Sequence, residues 1–350
     1  MAQSFASLDD FYAHGFDTVI DVRSPAEFAE DHVPGAINLP ALDNDERARV
    51  GTIYVQQSPF LARKLGAALV FRNAADHIER HLSGYEGGWR PLVYCWRGGQ
   101  RSGSFGWILQ QIGWRAETIE GGYRHYRRLV NQALYSDPLP LRFVALDGFT
   151  GTAKTALLHM LGKRGVQMLD LEGLANHRGS LLGAMPGGQP GQKLFESAIA
   201  QELSALDPAR PVVVEAESSK IGTRLLPPSL WTAMCAAPRI EIQAPIEART
   251  RYLTEAYDDI LSDSPALRER LTPLRQHRGH DVVDGWMAQI DAGNKFALTR
   301  LLMEQHYDPA YLKSRRNRGV TPLLVVEARA LDESGLANAA AQIEQGLSQL

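Results

Sequence analysis

PLVYCWRGGQRSGSFGWIL, residues 91–109, carries an apolar run into Cys95, follows it with a loop rich in glycine and arginine, and then resumes an apolar pattern with helical spacing. It reads as a buried strand, a turn and a helix. The neighbouring segments repeat that alternation. Upstream, FDTVIDVR (16–23) reads as a strand, SPAEFAEDH (24–32) as a helix capped by Ser24 with Pro25 in its first turn, and GAINLP (35–40) as a short strand. Downstream, AETIEGGYRHYRRLVNQAL (116–134) reads as a strand, a turn and a helix. Alternating strands and helices imply an α/β fold with a largely parallel sheet. A polar insertion of about fifty residues, 41–90, separates the second and third strands and is expected to be mostly helical.

The pattern starts over after YSDPLPL (135–141), where two prolines interrupt it. LRFVALD (141–147) is a strand, GFTGTAKT (148–155) a loop, ALLHMLGKRG (156–165) a helix and VQMLDLEG (166–173) a strand. The helix GQKLFESAIAQELSAL (191–206), the strands PVVVEAES (211–218) and RIEIQAP (239–245), a helical region over about 246–317, the strand TPLLVVEA (321–328) and a final helix complete the chain. Two domains are expected, 1–135 and 136–350, as suits a chain of 350 residues.

Composition narrows the partners little. Hydrophobic residues make up 44%, charged residues 22%, and the net charge is −3, so a nucleic-acid surface would have to be a local patch. The two cysteines form neither a disulfide framework nor a zinc pattern. With no basic, apolar leader and no run of about 18 apolar residues, the sequence predicts a cytoplasmic protein without a membrane partner.

Cys95 stands at the carboxyl end of a strand and before a helix, the place where open parallel sheets put their chemistry. Backbone N–H groups of Gly98 and Gly99, the helix N-terminus with Ser102, and the cations Arg97 and Arg101 all favour its thiolate. The same donors form an anion nest. Cys235, in LWTAMCAAP (230–238), is expected to be an inert buried thiol.

GFTGTAKT follows a strand and opens a helix, the context of a P-loop, and Gly148, Thr150, Gly151, Lys154 and Thr155 are its diphosphate-binding candidates. Ala153 replaces the last glycine of the pattern and is expected to sit in the first helical turn with ordinary helical dihedrals. Glu215 and Glu217, at the end of PVVVEAES, are candidates for acid/base work or for holding Mg²⁺; no residue is assigned as a certain metal ligand. Arg178, Ser180 and Lys220 are candidates for a substrate pocket. Three basic stretches could meet RNA phosphates: YRHYRR with Arg124, Arg127 and Arg128, where Tyr126 could stack on a base; RQHRGH with Arg275, His277 and Arg278; and KSRRNR with Lys313, Arg315, Arg316 and Arg318.

VIDVRSPAEFAEDHVPGAINLP (19–40) resembles the amino-terminal signature of rhodanese domains, and YCWRGGQRS (94–102) resembles their active-site loop. Five residues lie between Cys95 and Arg101, a spacing shared with cysteine-dependent phosphatases, so the loop suits chalcogen transfer and phosphate-ester hydrolysis alike. A rhodanese-like loop followed by a P-loop in one chain resembles the tRNA 2-selenouridine synthase family. ERARVGTIYVQ (46–56), LEGLANHRGSLLG (171–183), QKLFES (192–197) and VEAESSKIG (214–222) also fit that family. The resemblance implies a rhodanese-like parallel-sheet domain followed by a P-loop NTPase-like parallel-sheet domain with a helical region. It implies an enzyme acting on the wobble 2-thiouridine of a tRNA anticodon, geranylating the sulfur from geranyl diphosphate and then replacing it with selenium from selenophosphate. Cys95 would carry the selenium in a selenylated intermediate, no tightly bound cofactor would be needed, and Mg²⁺ could assist. A phosphatase fused to a P-loop kinase, and a protein that only senses anions, are the rival readings of the same two loops.

Overall fold

Runs that are apolar throughout become the middle strands of two parallel sheets, because only a strand covered on both faces buries every side chain. The computed structural model describes residues 2–136, 138–216, 218–318 and 321–349; the side chains of 314–318 lie outside the described set. The chain divides into two compact units, 1–138 with 190–205 and 139–189 with 206–350.

In the first unit β1 (Ala2–Gln3), β2 (Thr18–Asp21), β3 (Ile37–Asn38), β4 (Pro91–Tyr94) and β5 (Glu117–Ile119) form one sheet in the order β1, β5, β4, β2, β3. Every pairing is parallel. All four residues of β4 are buried at its centre, and the register sets Asp21 beside Tyr94. The carboxyl ends of β2 and β4 therefore lie side by side, and Cys95 is the next residue. Ile20, Val93, Phe105 and Leu109 are fully buried in this unit's core, each worth about 1.5–3 kcal/mol of burial. The 41–90 insertion is helical as expected, with Asn44–Gln56 capped by the Asp43 carboxylate and Pro59–His77 capped by the Ser58 hydroxyl.

The helix Gln192–Ser204, which sequence order places among the elements of the second half, belongs to the first unit. It packs on the helices Leu8–Tyr12 and Gly122–Asn131. Ser197 Oγ donates to Asp31 Oδ1 at 2.9 Å, Tyr135 Oη donates to Glu196 Oε1 at 2.7 Å, and Arg127 pairs with Glu196.

In the second unit β6 (Arg142–Gly148), β7 (Gln167–Leu169), β8 (Pro211–Glu215), β11 (Arg239–Gln243) and β12 (Leu324–Glu327) form a parallel sheet in the order β12, β11, β6, β8, β7. Between β8 and β11 the chain makes a small antiparallel ribbon of β9 (Lys220–Ile221) and β10 (Arg224–Leu225). β7 is shorter than the expected 166–173, because the Asp170 carboxylate accepts from Gly173 N at 2.8 Å and caps the short helix Leu171–Leu174. The helical region runs from Ile246–Ala256 to Asp308–Arg318 around a core that includes Leu267, Leu271, Val283 and Trp286. Both units are thus α/β with parallel sheets, the fold class expected. Cys235 departs from expectation: it is exposed, because the helix Pro228–Ala236 turns Leu230 and Met234 inward and leaves the next position outside. Among the described residues no helix is long and apolar enough to cross a membrane.

Candidate active sites

Cys95 is 3% exposed, and its Sγ accepts hydrogen bonds from Gly99 N at 3.3 Å and Ser102 Oγ at 3.1 Å. Gly99 is the N-cap of the helix Gln100–Ile112, and Ser102 lies in its first turn, so one helix start supplies both donors. Burial pushes the thiol up, but the Ser102 hydroxyl and N–H, the Gly99 N–H and the charge of Arg101 outweigh it and hold the thiol below its ordinary value. The outcome is a thiol biased toward thiolate at the end of a central strand.

The loop keeps this shape because glycines let backbones meet. Gly98 and Gly122 adopt φ of 66° and 59°. A Cβ on Gly122 would stand 2.2 Å from Cys95 O, and one on Gly98 would stand 2.7 Å from Ile119 O. With that space free, Tyr123 N and Arg124 N donate to Cys95 O at 2.8 Å and Trp96 O at 3.1 Å. The N-terminus of the helix Gly122–Asn131 therefore holds the loop from below.

Arg101 Nη1 donates to Glu27 Oε2 at 2.9 Å, while Arg97 is exposed. Burial pushes the Glu27 carboxyl up; Arg101, Ser24 N–H and Arg47 overcome this and hold it below the usual range. Sequence reasoning passed over Glu27, whose only visible role there was in a helix start. It also passed over Asp21 and Arg23, which form a buried ion pair at 2.7 Å, with the guanidinium 3.9 Å from the Tyr123 ring centroid. That pair ties the end of β2 to the helix beneath the thiol loop.

In the second unit the candidate P-loop follows β6. Gly148 has φ 152° and Gly151 φ 85°, and a Cβ on Gly148 would meet Ile242 O at 2.6 Å. Arg249 Nη1 donates to Thr150 O at 3.1 Å and is anchored by Asp308 at 2.9 Å, bracing the loop from the helical region. Ala153 corrects an expectation. It is the N-cap residue of Lys154–Lys163 with φ 59° and ψ 32°, a left-handed conformation rather than a helical one, which costs an L-residue about 1–2 kcal/mol. A glycine would adopt that conformation without the cost.

Lys154 Nζ donates to Gly148 O at 3.1 Å, and Thr155 Oγ1 donates to Glu215 Oε1 at 2.5 Å and lies 3.2 Å from Glu172 Oε2. Glu215 is 1% exposed; Glu217 lies outside the described residues. These groups line a cavity of about 580 Å³ together with Gly148, Thr150 and Gly151. Arg178 and Ser180 line it too, Arg178 being held by Asp259 at 3.0 Å and lying 4.9 Å from the Tyr257 ring centroid. Lys220 does not; it is exposed on β9. No motif marks His159 and Asp170, paired at 2.6 Å on the wall, or Tyr252 and Tyr311, which a long helical region brings back to the loop. Among the described residues no group of three His, Cys, Asp or Glu is arranged to hold a metal.

The basic stretches fare unequally. Arg124 and Arg128 are exposed, but Arg127 is turned inward on Glu196 with its side chain 14% exposed. Tyr126 is fully buried, its hydroxyl 3.1 Å from that of Tyr12, so the expected base-stacking role is corrected: the ring faces the core. Arg275 is paired with Asp284, and Arg278 donates to His306 O at 3.0 Å. His277 and Lys313 are exposed; the side chains of Arg315, Arg316 and Arg318 lie outside the described residues.

Two family models match the chain: a rhodanese-like domain over residues 4–129 and a tRNA 2-selenouridine synthase AAA domain over residues 141–269. A tRNA 2-selenouridine synthase of Alcanivorax borkumensis is 33% identical over 336 residues, covering 85% of this chain and 90% of its own. One from Aeromonas salmonicida is 34% identical, covering 86% of this chain and 88% of its own. Among solved structures, a rhodanese-related protein from Thermoplasma volcanium is 19% identical over 36% of this chain and 92% of its own, with a TM-score of 0.23. With relatives this similar along most of its length, the chain belongs to the tRNA 2-selenouridine synthase family.

Proposed function

We propose that this protein converts the wobble 2-thiouridine of tRNA to 2-selenouridine in two steps that use both loops. In the first, the 2-thiouridine sulfur attacks the first carbon of geranyl diphosphate, the carbon–oxygen bond breaks, and diphosphate leaves. The developing charge falls on the diphosphate, so the N–H groups of the loop Gly148–Thr155 and the ammonium of Lys154 lower the barrier by binding the leaving group more tightly as it separates. Thr155 and Glu215 would hold Mg²⁺ beside it, and the ion when bound would supply further charge neutralisation.

In the second step the Cys95 thiolate attacks the phosphorus of selenophosphate and the phosphorus–selenium bond breaks; the hydrogen selenide released adds to C2 of the base, the carbon–sulfur bond breaks and geranylthiol leaves, and water frees phosphate from the cysteine. Selenium stays at the selenide level throughout, so no oxidant is needed, as one would be for a selenylated cysteine. A thiolate is needed to attack the phosphorus, and an anion nest is needed to bring the phosphate oxygens to it. The observation that carries the reading is the hydrogen-bonded Cys95 sulfur, held in its nest by Gly99 N–H and Ser102 Oγ. Arg97 and Arg101 would add charge at the same place. The RNA would be met by exposed cations such as Arg124, Arg128 and Lys313.

The test is mass spectrometry of tRNA nucleosides after incubation with geranyl diphosphate and selenophosphate. The wild-type chain is expected to give 2-selenouridine, and Cys95→Ala is expected to stop at the geranylated base. A phosphatase joined to a kinase, or a sensor of anions, would leave 2-thiouridine unchanged, and that result would refute the proposal.

A further inference from the structure

Beside the P-loop cavity the second unit contains a smaller recess of about 30 Å³. Thr150, Leu253 and Tyr257 line both spaces, so the recess adjoins the loop that would hold a diphosphate. Its other walls include Leu182, Leu261, Leu302 and Met303, all less than a tenth exposed. Ser180 Oγ and Tyr257 Oη lie 3.4 Å apart among its lining groups, and no charged side chain is present. A ribose or base edge is too large for such a place and would meet almost only carbon, whereas a methyl group of a branched hydrocarbon end would find dispersion contacts on every side. As a mere packing void the recess would only weaken the fold.

We infer that this recess takes a terminal methyl group of the branched hydrocarbon end of an allylic diphosphate whose diphosphate group lies on the loop Gly148–Thr155. The inference rests on the reading of the second unit as a geranyl diphosphate site, and it names the residues that would distinguish that ester from a nucleotide. The remainder of the chain would run along Leu253 and Tyr257, in the mouth shared with the larger cavity.

The experiment compares equilibrium binding of geranyl diphosphate and inorganic pyrophosphate to the full chain by titration calorimetry, in the wild type and in Thr299→Met and Leu261→Phe, which fill the recess from two walls. The wild type is expected to bind geranyl diphosphate at least about tenfold more tightly than pyrophosphate, from the apolar surface removed from water. Each filled variant is expected to lose about tenfold for geranyl diphosphate while pyrophosphate stays within about twofold. Equal wild-type affinities would overturn the geranyl diphosphate reading and the recess with it. A wild-type preference that survives both substitutions would leave that reading standing and overturn the recess alone. A variant that loses pyrophosphate as well is misfolded, and the other variant then decides.

Discussion

Arg101 donates to the Glu27 carboxylate at 2.9 Å while its charge favours the thiolate of Cys95, so one guanidinium is shared between a helix-capping acid and the candidate nucleophile. Glu27 balances part of the charge that would otherwise act on the sulfur. Replacing Glu27 by Gln keeps a hydrogen-bond acceptor for Ser24 N and removes the balance. The pH curve for alkylation of Cys95 is expected to move to lower pH in Glu27→Gln, as followed by iodoacetamide labelling and peptide mass spectrometry.

Ser102 should have the opposite effect. Its hydroxyl and N–H are the largest influences opposing burial at Cys95. Ser102→Ala removes the hydroxyl donor, so the thiol is expected to rise, the alkylation curve to move to higher pH, and the rate at neutral pH to fall several-fold, in keeping with the loss of a hydrogen bond to a charged group. A curve unmoved by the substitution would show that Ser102 does not tune the sulfur.

Gly122 is a steric requirement of the thiol loop. An alanine there would place Cβ 2.2 Å from Cys95 O at a backbone φ of 59°. Gly122→Ala is expected to cost at least about 2 kcal/mol of stability, read from denaturant midpoints, and to slow Cys95 labelling as the loop is displaced.

Ala153 offers the reverse case. Glycine relieves the left-handed strain but adds backbone entropy to the unfolded chain, so Ala153→Gly is expected to stabilise by about 1 kcal/mol at most. Thermal unfolding should show a midpoint a few degrees higher. Lys154→Ala, at the next position, is expected to lower the proposed geranyl transfer by about a hundredfold, measured on 2-thiouridine-containing tRNA with selenophosphate left out.

Asp31 joins the helix Gln192–Ser204 to the rest of the first unit, accepting from Ser197 Oγ at 2.9 Å and from Tyr123 Oη at 2.6 Å while 1% exposed. Asp31→Ala leaves two buried hydroxyls without that partner and is expected to cost about 2–4 kcal/mol. Protection from hydrogen exchange should fall first in residues 192–204.

By itself the sequence determined the two α/β layers and the position of both loops. Apolar runs such as FVAL and PVVV, and the glycines at 98, 148 and 151, express demands that act within a few residues: burial of a strand on both faces, and turns that need positive φ. Tertiary structure decided what depends on a distant neighbour. Tyr126 faces the core and Cys235 faces solvent because of what packs against one side of each helix, and Arg127 is drawn inward by a glutamate 69 positions away, at 196. Gln192–Ser204 joins the first unit because Asp31 and Tyr135 wait there for its polar groups. Ala153 stands left-handed between the loop and the helix, against the local preference of an L-residue. Such outcomes are set by long-range contacts, whose partners adjacent residues do not encode.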